Sequence, residues 1–492
     1  MRHLKSLRGY VEALRAMGEL QVIDTEVDWN LEVGAIIRRV YELGAPAPLF
    51  NRIKGIDAGF RVLGAPAGMS RRNGLARIAV SLGWPVNVTG CQLVQGLADA
   101  HGQPPIPPRR VPDGPCKEHR YLGAEVDLER LPAPLIHEGD GGRYLNTWGT
   151  MIVQTPEGTW TNWSITRIML AGKNTLTGLV LPRQHLGMIF ARWKALGRPM
   201  PFALAIGTAP AIPFVSAMPL ADEVNEADFI GAYLGEPLEV VDCETVPLQV
   251  PATSEIVVEG MVSIDETVCE GPIGEYTGYL NPGVGAAQPL FRVTALTHRD
   301  QPILPVVASG EPIEENHTCW SLAISAQVLW ELRSSGFPVS RCFSPFHSAA
   351  HWLVVTVPTS YRGQAVAERL VKQLAEVVFR SRAGSLIPKI ILLGDDIDPA
   401  NLEEVVWAFT TRSHPERGQF LFPDQEVLPL LAFLSRPERE ARRSTKVIYH
   451  GLPLDDVPDE QLPRRSSFHH STPPEIQQKV LRDWASHGYG DA

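Results

Sequence analysis

Two glutamates stand five residues apart in "CEGPIGEYTGY" (Cys269–Tyr279): Glu270 and Glu275, separated by Gly271, Pro272, Ile273 and Gly274. Glycine and proline exclude a helix there, so only a tight loop can bring the two carboxylates together. Close carboxylates suit proton transfer, because their repulsion raises one pKa and leaves a proton donor near neutral pH. On residue types alone, a surface turn with solvated glutamates is the commoner origin of such a spacing.

A second set lies in "TNWSITR" (Thr161–Arg167), where Asn162 offers a hard carbonyl oxygen and Arg167 a fixed fork for a carboxylate or phosphate. A third comprises His185 in "PRQH" and Glu226 in "NEADF". With Asn162 they make a mixed nitrogen and oxygen set suited to Mn²⁺ or Mg²⁺, although each residue taken singly reads as structural. Other candidates read as bland. The acids of "LLGDDID" (Leu392–Asp398) precede a helix and suit its N-terminal charge. Cys269 lacks a local base, and the adjacent histidines of "SSFHHS" point apart in an extended surface chain. No GxGxxG or GxxxxGK[ST] occurs in a strand–loop–helix setting.

These residues need elements to hold them. "TMIVQTPEGTWTNWSI" (Thr150–Ile165) reads as a hairpin that delivers Asn162 to Arg167 just beyond its turn. "PFALAIG", "SEIVVEGMVSI" and "PILPVVASG" are strand candidates, and Arg183–Gly197 has helical spacing with a glycine stop. "HTCWSLAISAQVLWELRSSG" (His317–Gly336) predicts one long helix, apolar around much of its circumference and therefore buried between two units. A strand–helix–strand–helix alternation follows, which predicts a right-handed βαβ unit with parallel strands.

At 492 residues the chain exceeds one ordinary core and suggests about three domain-sized units. Lys and Arg total 45 against 55 Asp and Glu, for a net charge of −10. That acidity, with no basic block, argues against nucleic acid or an anionic membrane as partner. The first twenty residues carry apolar positions at helical spacing among charges, unlike a signal peptide. Phe202–Ala221 is uncharged, but Pro210, Pro213 and Pro219 would break a membrane helix, so buried strand and loop is expected. The six cysteines are irregularly spaced without a CxxC pair, as in a cytoplasmic protein with reduced thiols.

Taken in order, "APAPLF", "RVLGAPAG", "TPEGTWTNWSITR", "LPRQH", "MPLADEVNEADFIGAYLGE", "PATSEIVVEG", "EGPIGEYTGY", "EENHT" and "LLGDDID" resemble the UbiD family of decarboxylases over nearly the whole chain. The resemblance implies an α/β (α+β) fold: a split β-barrel flavin-binding domain and an α/β oligomerisation domain joined by a long helix. The implied divisions are an N-terminal α/β region ending in a Pro-rich linker (1–116), the flavin domain (117–316), the connecting helix (317–336), a dimerisation domain (337–454) and a C-terminal arm and helix (455–492).

The family binds prenylated FMN with a divalent metal and a monovalent cation. Carried onto this chain, Asn162, His185 and Glu226 would hold Mn²⁺ (or Mg²⁺). Carbonyls around Trp163, Val215, Ser216 and Met218 would hold K⁺, and Ser164, Ile165, Thr166, Arg167, Gln184 and Arg382 would complete the cofactor site. Glu275, Arg167 and Glu270 correspond to the family's Glu-Arg-Glu set, with Glu275 as proton donor. The implied reaction is a reversible, non-oxidative decarboxylation through a covalent adduct with the prenylated flavin. Asn316 and His317, at the entry to the long helix, are the expected pocket-facing residues and favour a pyrrole or indole carboxylate over a cinnamic, ferulic or other alkenoic acid. Implied partners are CO₂, a UbiX-type flavin prenyltransferase and a second copy of the chain. A non-catalytic flavin- or metal-binding assembly protein and a flavin-free metal lyase are the readings from other classes.

Overall fold

The computed structural model describes residues 3–280, 285–455 and 457–490. Four sheets form among the described residues, and the three larger ones organise the chain. An N-terminal one orders Leu20–Ile23, Ala47–Phe50, Arg61–Gly64 and Ile303–Val306, so a strand from far along the sequence closes it. Helix Leu7–Ala16, capped by the Ser6 hydroxyl, buries Leu7, Tyr10, Val11 and Leu14 against it, as the helical spacing predicts.

The central sheet has nine antiparallel strands, and its path explains where the chemistry-bearing residues lie. Eight follow in order: Tyr144–Asn146, Ile168–Gly172, Thr175–Gly178, Ala286–His298, Ile256–Glu270, Met200–Ile206, Gly149–Gln154 and Thr161–Ser164; His119–Leu122 pairs alongside Ala286–His298. The first and seventh are joined by only Thr147 and Trp148. The sheet must therefore curl until its two ends meet, giving the expected split barrel. Asn146 stitches this seam, its Nδ2 donating to the carbonyls of Thr166 (2.7 Å) and Gly149 (3.2 Å). The eighth strand returns to the second through Ile165, Thr166 and Arg167, so Arg167 lies on the seam itself.

The C-terminal sheet orders Arg341–Phe343, Trp352–Val357, Lys389–Gly394, Arg443–His450 and Gln419–Glu426. Its middle three strands are parallel, and helix Gln364–Val378 makes the anticipated crossover between the first two of them. The long helix runs Glu315–Ser334, with Leu322, Ile324, Val328 and Leu329 buried in a core shared with Val215 of the central unit and Leu353 of the C-terminal sheet. The uncharged stretch forms strand Met200–Ile206 and the short helix Ala211–Ser216, and no helix among the described residues is long and apolar enough to cross a membrane. One local expectation fails. Phe468–Ser471 is a helical turn, because the Ser467 carbonyl accepts from the Ser471 amide (2.9 Å), so His469 and His470 are not in extended chain.

The long helix begins on two fully buried carboxyls. Glu314 accepts from the Asn316 amide (2.7 Å), and Glu315 accepts from the Ala67 amide (2.8 Å) and the Tyr41 hydroxyl. Burial pushes both up to about 7, Glu315 further assisted by its neighbour's charge. A carboxyl whose folded pKa exceeds its unfolded value contributes stability at low pH that is lost as pH rises through about 7. Glu315→Gln should therefore gain about 1–3 kcal/mol relative to wild type between pH 5 and pH 8. Urea unfolding at the two pH values measures it, and a pH-independent difference would refute the assignment.

Candidate active site

Strand Thr161–Ser164 alternates its faces, turning Trp163 into the core while Asn162 and Ser164 face a cavity of about 660 Å³. His185 and Glu226 are each the first residue of a helix, His185–Ala195 and Glu226–Leu234. Two helix N-termini thus converge on one strand, and their exposed amides and dipoles favour an anion such as a phosphate. Asn162 Nδ2 lies 2.8 Å from Glu226 Oε1 and 3.4 Å from His185 Nδ1, and His185 Nδ1 lies 3.4 Å from Glu226 Oε1. The Trp163 amide donates to Glu226 Oε2 (2.8 Å), while buried Asn162 Oδ1 has no hydrogen-bond partner.

Behind this set stands Asp222, 3.2 Å from His185 Nε2 and bonded to Arg382. Burial alone would raise the Asp222 carboxyl, but the Arg382 bond and charge, with His185, hold it below the ordinary range. His185 Nε2–H donating to Asp222 leaves the Nδ1 lone pair turned toward Asn162 and Glu226, an arrangement that suits a metal-ligating imidazole. An unpartnered amide oxygen, an imidazole nitrogen and a carboxylate within one small volume fit a hard divalent cation. Among the described residues no cluster of three His, Cys, Asp or Glu side chains offers such a site; this set depends on its amide.

Ser164, Ile165, Thr166, Gln184, Ser216, Met218 and Arg382 also line the cavity. Ser216 is fixed by Thr150 (Oγ–Oγ1, 3.2 Å), and the Val215 carbonyl accepts from the Met218 amide (2.9 Å). Arg382 reaches across from the C-terminal unit, bonding the Arg183 carbonyl (3.2 Å) as well as Asp222.

Next to Thr166, Arg167 stands between the two glutamates. Its Nε and Nη2 grip Glu270 at 2.9 and 3.1 Å, and Nη1 donates to Glu275 Oε1 at 2.7 Å. The expectation of two carboxylates in mutual repulsion gives way to two carboxylates that each face the same cation. Burial disfavours the guanidinium, but the charges of Glu275 and Glu270 outweigh it and push its pKa further up, so it stays cationic. Glu270 ends the long strand Ile256–Glu270, 2 % exposed, and accepts a further bond from the Tyr144 hydroxyl (3.0 Å). Glu275 rides the following loop, where Gly278, at φ +87°, closes a turn onto the Glu275 carbonyl (3.0 Å).

Asn316 and His317, the residues expected to face the pocket, stand outside the lining of this cavity. His317 is fully buried, accepting the Glu314 amide on Nδ1 (2.9 Å) and bonding the Tyr276 carbonyl through Nε2 (2.6 Å). Burial lowers its pKa to about 4, so it is a neutral brace behind the glutamate loop. Asn316 donates to Ser309 Oγ (3.0 Å) and the Glu314 carboxylate (3.1 Å), and neither residue lines the cavity. Trp320 and Ile324, one and two turns further along the helix, do line it. Asp222 and Tyr144 carry no local signal in the sequence, whereas Trp320, four residues after Asn316, lies at a helical repeat.

Comparison with known proteins places this geometry. The sequence matches the N-terminal (residues 11–99), Rift-related (109–312) and C-terminal (317–450) domains of 3-octaprenyl-4-hydroxybenzoate carboxy-lyase. It is 44% identical over 490 residues to pyrrole-2-carboxylic acid decarboxylase of Pseudomonas aeruginosa, covering 99% of this chain and 98% of that one. Ferulic acid decarboxylase 1 of Saccharomyces cerevisiae is 38% identical, with 98% of each chain covered. An evolved dimeric form of the UbiD-class enzyme HmfF from Pelotomaculum thermopropionicum, solved with prFMN, superimposes with a TM-score of 0.79 at 28% identity, covering 98% of this chain and all of that one.

Proposed function

The chain belongs to the UbiD family of carboxy-lyases, and from that premise we propose that it removes CO₂ reversibly from a heteroaromatic carboxylic acid using prenylated FMN. The observation that carries this reading is Arg167 held between Glu270 and Glu275, next in sequence to Thr166, which lines the same cavity as Asn162, His185 and Glu226. Asn162 Oδ1, His185 Nδ1 and the Glu226 carboxylate would hold Mn²⁺ or Mg²⁺, with the cofactor phosphate at the two helix N-termini and Arg382 and Gln184 beside it. Carbonyls around Trp163, Val215, Ser216 and Met218 would take K⁺.

When bound, the prenylated flavin supplies the electron sink that makes C–CO₂ cleavage feasible. This chain's residues supply the rest. Arg167 orients the substrate carboxylate, and Glu270, anchored by Tyr144, holds Arg167 in place. Glu275, after taking up a proton, delivers it to the carbon that the carboxylate has left. Trp320 and Ile324 present an apolar wall that excludes water from the reacting carbon.

The 44% relative supports a pyrrole- or indole-type acid, with Asn316 as the residue facing its ring N–H once the Glu314 contact yields. The yeast relative supports cinnamic and ferulic acids as the second choice. A non-catalytic assembly protein would have no use for a guanidinium clamped between two carboxylates. The enzyme would work as a cytoplasmic homodimer supplied by a UbiX-type flavin prenyltransferase.

The test is co-expression with a flavin prenyltransferase, followed by absorbance spectroscopy, metal analysis and assay on pyrrole-2-carboxylate, indole-3-carboxylate and cinnamate. Flavin and metal should co-purify, with turnover of a heteroaromatic acid. Turnover of cinnamate alone would reject the substrate preference, and protein that takes up no flavin would reject the reading altogether.

A further inference from the structure

The loop that carries Glu275 has no regular structure of its own between Gly271 and Glu275, yet a carboxyl that protonates one carbon must be aimed. What aims it is a second loop, 137–142, from more than a hundred residues earlier in the chain. Asp140 Oδ1 accepts the amide of Gly274, the residue directly before Glu275, at 3.0 Å. Its Oδ2 accepts the His137 amide at 2.9 Å and stands 3.2 Å from His137 Nδ1, so the carboxylate is itself held from both sides. The Asp140 side chain is completely buried. The Gly141 amide donates to the Pro272 carbonyl at 2.7 Å.

The two loops also touch where only glycine fits. A Cβ at Gly141 would stand 2.1 Å from the Gly271 carbonyl oxygen, and one at Gly274 would stand 2.6 Å from the His137 ring. Two hydrogen bonds and two glycine contacts thus bind 271–274 to 137–141. Three residues further on, Tyr144 bonds Glu270. A single segment therefore braces the Glu270 carboxylate and the backbone that leads into Glu275.

We propose that Asp140 is a positioning residue for decarboxylation: by holding the Gly274 amide it fixes the direction in which Glu275 presents its proton. This rests on the assignment of Glu275 as the acid. Asp140 acts through the backbone of the glutamate loop, so its loss should lower kcat and leave KM, flavin content and metal content nearly unchanged. A general folding defect would lower all of them together.

The holoenzyme carrying Asp140→Ala should show kcat about tenfold to a hundredfold below wild type, the range expected when a reacting group is misplaced by about an ångström. Asp140→Asn keeps an oxygen for the Gly274 amide and should recover most of that loss. Gly141→Ala perturbs the same peptides from the other side and should reproduce the Asp140→Ala result, which keeps the idea testable if the alanine variant fails to fold. Hydrogen–deuterium exchange gives a readout independent of turnover. Amides of 271–278 should exchange faster in Asp140→Ala, with the rest of the molecule unaltered.

Unchanged exchange in that loop, or unchanged kcat despite faster exchange, would overturn the proposal. So would equal loss of kcat and flavin in the alanine and asparagine variants. A wild-type holoenzyme inactive on every acid would instead refute the functional reading, while exchange would still decide whether Asp140 braces the loop.

Discussion

Glu275→Gln should abolish measurable turnover, a loss of about 10²–10⁴ in kcat or more, with flavin and metal still bound. The substitution keeps volume and shape, and the amide oxygen can still accept the 2.7 Å bond from Arg167 Nη1. What it removes is the only proton Glu275 could deliver. Because Glu275 does not line the cavity that holds Asn162, His185 and Glu226, cofactor uptake should not change. Single-turnover assay of the purified holoenzyme measures the chemistry, and the flavin spectrum measures occupancy. A variant with normal flavin content and near-normal decarboxylation would remove Glu275 from the role of acid.

Arg167→Ala should be costly in a different way, since it strikes folding as well as chemistry. Glu270 is 2 % exposed and, among the described residues, would keep only the Tyr144 hydroxyl as a side-chain partner. Removing one member of a buried ion pair strands the other charge and costs about 3–5 kcal/mol. Urea unfolding should register that loss, and kcat should fall by about 10² or more because the substrate carboxylate loses its guide. Arg167→Lys discriminates between charge and shape. A single ammonium cannot grip Glu270 through two nitrogens while bonding Glu275, so it should recover part of the stability and little of the rate. Wild-type stability in Arg167→Ala, or wild-type kcat in Arg167→Lys, would contradict this account.

How much of this was readable beforehand depends on how local each feature is. The hairpin, the helix starting at His185, the long helix and the C-terminal alternation rest on short-range periodicity, and they appear where that periodicity puts them. The uncharged Phe202–Ala221 stretch was decided by its prolines. The Glu270–Glu275 stretch was legible as a loop, but its meaning came from Arg167, which approaches from the seam of a sheet whose strand order no local pattern reveals. Asp222 and Tyr144 have ordinary neighbours, and their roles come from contacts with His185, Arg382 and Glu270 that span 37, 160 and 126 residues. A helix-entry position such as His317 can face a cavity or cap the helix, and residue type does not choose between them; here it caps.

The two ends of the curled sheet are neighbours in the chain, but the path between them runs through long-range pairings of Met200–Ile206 with Ile256–Val262 and of Ile256–Glu270 with Ala286–His298. Pairings between such distant stretches are slow to form, since loop-closure entropy is lost before contacts repay it. A nascent or half-folded chain therefore presents neither the converging helix starts nor the clamped arginine. A cofactor that needs both finds its receptacle only once those long-range pairings are made.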